Sequence, residues 1–168
     1  DLAILDSDFL KELPPGLIAD TGFDVLTHAV EGFTAAKAGA FTDLFAQEAF
    51  RIAYGSLPAS FAGRQEVRLK LHMASCMAGI AFSQAGLGLC HAMAHSLGGR
   101  FHVPHGRLNA ILLPAVIENN ASSCGKKYAQ LARAAGMGGS ADTVALRNLK
   151  NGLIRLRREL GLPQSLTQ

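Results

Sequence analysis

The chain has 168 residues, of which 49% are hydrophobic and 17% charged, with a formal net charge of +3. That length supports about one domain with a sizeable core, and that composition excludes a disordered chain. No apolar run approaches the ~20 residues of a membrane-spanning helix, so no membrane partner is expected. Nor is a nucleic acid expected, because the basic run "RLRREL" (Arg155 to Leu160) reads as a solvated helix face.

In chain order, only the first ten residues, "DLAILDSDFL", offer anything strand-like. "LPPGL" marks a helix start with prolines, and helical spacing then runs from about Ile18 to Thr34. Thr42 is read as the N-cap of a helix from Asp43 to about Ser60, with Asp43 near the positive end of its dipole. A helix over Arg64 to Gly86 begins amphipathic and becomes apolar on nearly every side, which predicts a central, buried helix. Gly86 and Gly88 break it. The next helix is expected from about Leu89 to Leu97, and "GGRFHVPHG" is read as a loop because of Gly98, Gly99 and Pro104. Further helices are expected over Gly106 to about Asn119, Lys126 to Ala135, and Ser140 (as N-cap) to Leu160. The expected fold class is all-α, a helical bundle without internal repeats. Cys76, Cys90 and Cys124 are too few and wrongly spaced for a disulfide framework or a zinc knuckle. Cys76 and Cys90 are read as core residues, and a reducing, cytoplasmic compartment is expected.

The chemistry concentrates in "GLCHAMAHSLGGRFHVPHG", which carries His91, His95, His102 and His105 out of six histidines. His91 and His95 are four apart, so a helix places both on one face. Earlier, "TGFDVLTHAVEGF" places Asp24 and His28 at the same spacing. One carboxylate with several imidazoles suits Fe²⁺ or Zn²⁺ and not Ca²⁺ or a thiolate cluster. Each piece alone also fits a plainer role. Asp24 with His28 fits a hydrogen-bonded surface pair, His91 with His95 fits core histidines, and His102 with His105 fits loop residues. His72 has no partner signal and reads as structural. "HAMAH" lacks the glutamate of an HExxH metalloprotease, which disfavours hydrolysis by that route.

Those two stretches, continued as "GRLNAILLP", resemble the helical domain of the iron-dependent (group III) alcohol dehydrogenases, and the likeness covers nearly the whole chain. The wording of "FHVPHGRLNAILLP" is nearest to the members serving propanediol or ethanolamine utilisation. The resemblance implies the C-terminal helical domain of that family, a dehydroquinate synthase-like α domain. It puts the metal ligands on Asp24, His28, His91 and His105, and a further active-site histidine, on the nicotinamide side, on His95. It implies Fe²⁺, with Zn²⁺ as the other ion the donor set accepts, and NAD(H) or NADP(H) in the full-length protein. The implied reaction interconverts small primary alcohols and aldehydes by metal-assisted hydride transfer. A homo-oligomer is implied, in the cytoplasm or inside a bacterial microcompartment.

A glycine-rich phosphate loop following a strand is not found: "GLGLCH" reads as a helix break and "GMGGSAD" as a linker. Residues 1–168 are therefore expected to be the metal-binding fragment of a longer enzyme, without its preceding α/β nucleotide-binding domain and truncated at its C-terminal end. Alone, the fragment is expected to be inactive. The competing expectation is a truncated, catalytically inactive helical domain that keeps a metal site and acts only in assembly.

Overall fold

The computed structural model describes residues 2–167, and among these the chain forms helices and turns with no strand. The helices are α1 (Pro15–Thr34), α2 (Ala40–Phe61), α3 (Arg68–Ala85), α4 (Leu89–Phe101), α5 (His105–Asn119), α6 (Ala121–Ala134) and α7 (Asp142–Glu159), with 3-10 turns at Ser7–Leu10 and Gln65–Val67. The all-α expectation holds. The strand-like opening is instead a 3-10 turn, started by Asp6, whose carboxylate accepts the Asp8 N–H at 2.9 Å; Asp1 lies outside the described residues.

The central helix is α1, not α3. Phe23, Leu26, Ala29 and Val30 are at most 1% exposed, and α1 packs on α2, α3, α4, α5 and α6. On α3 the buried apolar side chains are Ala74, Ala78, Ala81 and Ala85, a narrow stripe at i, i+4, i+7 and i+11. Small side chains let α3 approach its neighbours closely, while Met73 and Ile80 point outward and are exposed. Apolar character on every side thus did not mean burial on every side. Cys76, expected in the core, is only half-buried, while Cys90 is fully buried.

Several boundaries differ from the sequence reading for local reasons. Thr42 sits in the first turn of α2, and Gly39 is the cap residue; the Thr42 hydroxyl accepts the Gly39 N–H at 2.9 Å. Asp142 likewise begins α7 after Ala141, and Ser140 is not the cap. Helix α4 runs through Gly98 and Gly99 as far as Phe101, because isolated glycines only weaken a helix. It stops where His102 takes a left-handed conformation (φ 55°) and donates its N–H to the Gly98 carbonyl at 2.9 Å. His105, read as a loop residue, is the first residue of α5, directly after Pro104.

The basic run 155–160 is only partly a solvated face. Arg155 and Arg158 are exposed, but Arg157 is buried, and its Nη1 donates to the Ala110 and Ile111 carbonyls at 3.1 and 3.2 Å. Pro114, inside α5, has no N–H for the carbonyl four residues earlier, that of Ala110. Arg157 satisfies the orphaned acceptor and pins the end of α7 on α5. No single helix among the described residues is long and apolar enough to cross a membrane.

Candidate metal centre

Two close approaches bring the chemistry-bearing side chains together. The first is at Gly106, in the opening turn of α5. A Cβ there would lie 1.9 Å from the Asp20 carbonyl oxygen of α1, so only glycine lets the two backbones meet. Arg107 reinforces the contact, donating from Nε and Nη2 to the two Asp20 carboxylate oxygens at 3.2 and 3.0 Å. Asp24 lies one turn further along α1, and His105 is adjacent to Gly106, so the junction sets them side by side.

The second approach is at the start of α4. Gly86 (φ +89°) ends α3, and α4 leaves at 103° to it, aiming its first turn at α1. That turn has unsatisfied N–H groups, as every helix start does. Glu31 of α1 meets them: Oε1 accepts the Cys90 N–H at 2.6 Å and Oε2 accepts the His91 N–H at 3.2 Å. Glu31 Oε2 also lies 2.6 Å from His91 Nδ1, leaving His91 Nε2 to face Asp24.

The result is a cluster in which Asp24, His91 and His105 each offer a donor atom, all within 4.8 Å of one another. Asp24 Oδ1 is 3.4 Å from His91 Nε2 and 3.4 Å from His105 Nε2. His28 stands beside this trio, with Nδ1 3.7 Å from Asp24 Oδ2 and its ring stacked between Phe82 and His91 at 4.4 Å from each. His95 is exposed; its ring centre is 6.2 Å from that of His91 and 4.6 Å from that of His105. Equal spacing on one helix face therefore led to two different positions, His91 inside and His95 at the rim. His102 is exposed at the end of α4, outside the cluster. His72 is half-buried and lines, with Asp24 and His28, a cavity of about 320 Å³.

Two residues of the cluster were not assigned from sequence. Glu31 is i+7 from Asp24, on the same face of α1. Asn109 is i+4 from His105 on α5. It is fully buried, and its Nδ2 donates to Asp24 Oδ1 at 2.7 Å and lies 3.1 Å from His105 Nε2 and 3.5 Å from His91 Nε2. The Cys90 thiol, 3.6 Å away, holds the amide oxygen on the opposite side.

The electrostatics suit a cation. Burial, the largest single influence, pushes the Asp24 and Glu31 carboxyls up, but both end below their ordinary values. At Asp24 the His91 hydrogen bond and the charges of His28, His105 and His91 together exceed it, and at Glu31 the His91 hydrogen bond and charge and the Cys90 and Gly88 N–H groups do. Burial would lower His91, yet its bonds to Asp24 and Glu31 raise it to about 9. His28 is pushed down to about 4 by burial, and burial also lowers His105. Near neutral pH, His28 and His105 therefore present free lone pairs, while His91 carries a proton that a metal ion would replace. One carboxylate oxygen and imidazole nitrogens form a donor set that fits Fe²⁺ or Zn²⁺.

Residues 18–168 match the family model described as the Fe-containing alcohol dehydrogenase family, C-terminal. The chain belongs to that family. It is 44% identical over 169 residues to the 1-propanol dehydrogenase PduQ of Citrobacter freundii, covering 97% of this chain and 46% of that protein. It is 39% identical over 168 residues to the NADPH-dependent butanol dehydrogenase of Clostridium saccharobutylicum, covering 100% of this chain and 43% of that protein. The solved structure of a 1,3-propanediol oxidoreductase superposes with a TM-score of 0.93 at 37% identity, over 96% of this chain and 44% of that one. The chain thus spans a little under half the length of the relatives it matches.

Proposed function

We propose that this chain is the metal-binding catalytic half of an NAD(P)-dependent alcohol dehydrogenase that interconverts small primary alcohols and aldehydes. The observation that carries the reading is the convergence of the Asp24, His91 and His105 donor atoms within 4.8 Å, with His28 against them, in a chain of this family. The relatives' names, a propanol and a butanol dehydrogenase, support a short primary alcohol as substrate. In this proposal Asp24, His28, His91 and His105 hold a divalent iron. When bound, the iron supplies Lewis acidity at the substrate oxygen and the nicotinamide supplies or accepts the hydride.

The chain's own residues would do the rest. Asp24 contributes the one anionic donor and so offsets part of the cation's charge. His105 and Asp24 side chains are 34% and 27% exposed, so the cluster is reachable from outside, while His91 and Glu31 close its inner wall. Phe82, flat against His28, fixes that ring's orientation. His95, exposed beside His105, would exchange a proton with solvent on the nicotinamide side of the centre. The phosphate-binding part of the nucleotide site is assigned to a region outside this chain. The three cysteines are free, which agrees with a working place in the cytoplasm.

The test is anaerobic purification of the full-length protein that carries this chain, with metal analysis and assay of NAD(P)H-dependent aldehyde reduction. One iron per chain and turnover of short aldehydes are expected. Protein that takes up no divalent metal under those conditions would overturn the reading.

A further inference from the structure

We propose that Glu31 is the positioning residue of the metal centre, binding the first turn of α4 and the His91 ring with one carboxylate so that His91 Nε2 is aimed at Asp24. The inference rests on the reading that His91 is a metal ligand. The geometry is specific. Glu31 is 4% exposed, and its partners on α4 are the Cys90 N–H, the His91 N–H and His91 Nδ1, at 2.6, 3.2 and 2.6 Å. A buried carboxylate is expensive unless charged or donor groups surround it, and here they come from the helix start and the imidazole. With Nδ1–H directed at Oε2, the ring presents Nε2 to the cluster, and the imidazole is made a stronger donor. Gly88 makes room for this: a Cβ there would lie 2.8 Å from Glu31 Oε1.

A glutamate that merely capped α4 would have the same backbone contacts, so the test must read the imidazole as well as the fold. The experiment uses the full-length protein stripped of metal, titrated with Zn²⁺ as a diamagnetic probe, in unaltered, Glu31→Gln and Gly88→Ala forms. The measurements are Zn²⁺ affinity by calorimetry, the downfield proton resonance of His91 Nδ1–H in the Zn²⁺-loaded protein, and the thermal midpoint. Glu31→Gln should weaken Zn²⁺ binding by about 10–100-fold and move or erase the Nδ1 proton signal. Gly88→Ala keeps the carboxylate but displaces it, and should weaken binding in the same direction by less. It also serves as the second variant should Glu31→Gln not fold. Lower thermal midpoints with unchanged Zn²⁺ affinity and an unchanged Nδ1 signal would overturn the inference and leave Glu31 a helix cap. Absence of Zn²⁺ uptake by the unaltered protein would overturn the metal reading and this inference together.

Discussion

In the α6–α7 pair the buried side chains are mostly apolar, Leu131, Ala132, Leu149, Leu153 and Leu156, and most charged ones face water. At the junction of α1, α4 and α5 the buried side chains include Glu31, His91 and Asn109, none more than 4% exposed. The first region gains from removing hydrocarbon from water and needs no special geometry beyond a good fit. In the second region each buried polar group must meet a partner, and the groups are held by glycine-permitted contacts at Gly88 and Gly106. Hydrocarbon packing dominates the first region and buried polar pairing the second, so a substitution in one should read out differently from a substitution in the other.

The largest expected effect is on metal retention at the α1–α4–α5 junction. In the full-length protein, His91→Ala should purify largely metal-free, because it removes a ligand and the imidazole that stands between Glu31 and Asp24. His95→Ala should keep its metal and turn over slowly, since an exposed residue at the rim leaves the cluster intact. Side-by-side metal analysis checks this. Equal loss from both variants would mean that the division between His91 and His95 is drawn wrongly.

The matching change in the other region is Leu153→Ala on α7. Leu153 is fully buried, and its truncation should cost roughly 2–5 kcal/mol of folding free energy, seen as a lower denaturant midpoint. Metal affinity of the folded fraction should not change. A joint loss of stability and affinity would show that the two regions are coupled.

A smaller effect follows from protonation of the metal-free protein. His91 is raised from 6.5 to about 9, so the folded state holds its proton more tightly than the unfolded chain does. That stabilisation is complete below pH 6.5 and is lost as pH rises through about 9. His28, lowered to about 4, works from the other side: the unfolded chain takes up a proton that the folded one refuses, and stability falls as pH drops from 6.5 towards 4. Chemical unfolding of the metal-free protein at several pH values should thus show a maximum near neutrality, with the alkaline decline on the order of 3 kcal/mol. His91→Gln should flatten that alkaline decline, and a decline unchanged in the variant would assign it to other groups.

The same contrast explains what could be read from sequence. The periodicity of α6 and α7 is a statement about water; it located α7 to within two residues at each end, while α6 begins at Ala121, five residues before the expected Lys126. The spacing of Asp24 with His28, and of His91 with His95, put the members of each pair on a common face, since that depends only on helix geometry. It did not separate His91 from His95, because the difference is made by Glu31, sixty residues from His91 in sequence. Resemblance to a known family supplied that division. Asn109 was illegible for the same reason: a buried amide becomes meaningful only when three other chains of contact meet on it. The burial of α3 was misread because alanine spacing tells how closely a helix approaches, while its larger apolar residues gave no direction. Arg157 escaped notice because its partner is a carbonyl freed by Pro114 on another helix.

The smallest predicted effect lies where the two regions touch. Lys127 of α6 donates to the Phe33 carbonyl at the end of α1 at 2.6 Å and to both Asp43 oxygens at 3.0 and 2.9 Å. Its ammonium also stands 4.8 Å from the centre of the Phe33 ring. Lys127 and Asp43 side chains are 34% and 28% exposed, so water and salt screen the pair. Lys127→Met keeps most of the stem's packing and removes the charge, and it should cost about 1 kcal/mol. Asp43→Asn should cost a similar amount, because Asp43 also faces the positive end of α2. In a double-mutant cycle the coupling energy should stay below about 1 kcal/mol and shrink as salt is added. Zn²⁺ affinity should be the same in all four proteins, since this contact joins the regions at the end of α1 away from Asp24. A coupling above about 2 kcal/mol, or a change in affinity with Lys127, would show that the hydrocarbon-packed region holds the polar junction in register.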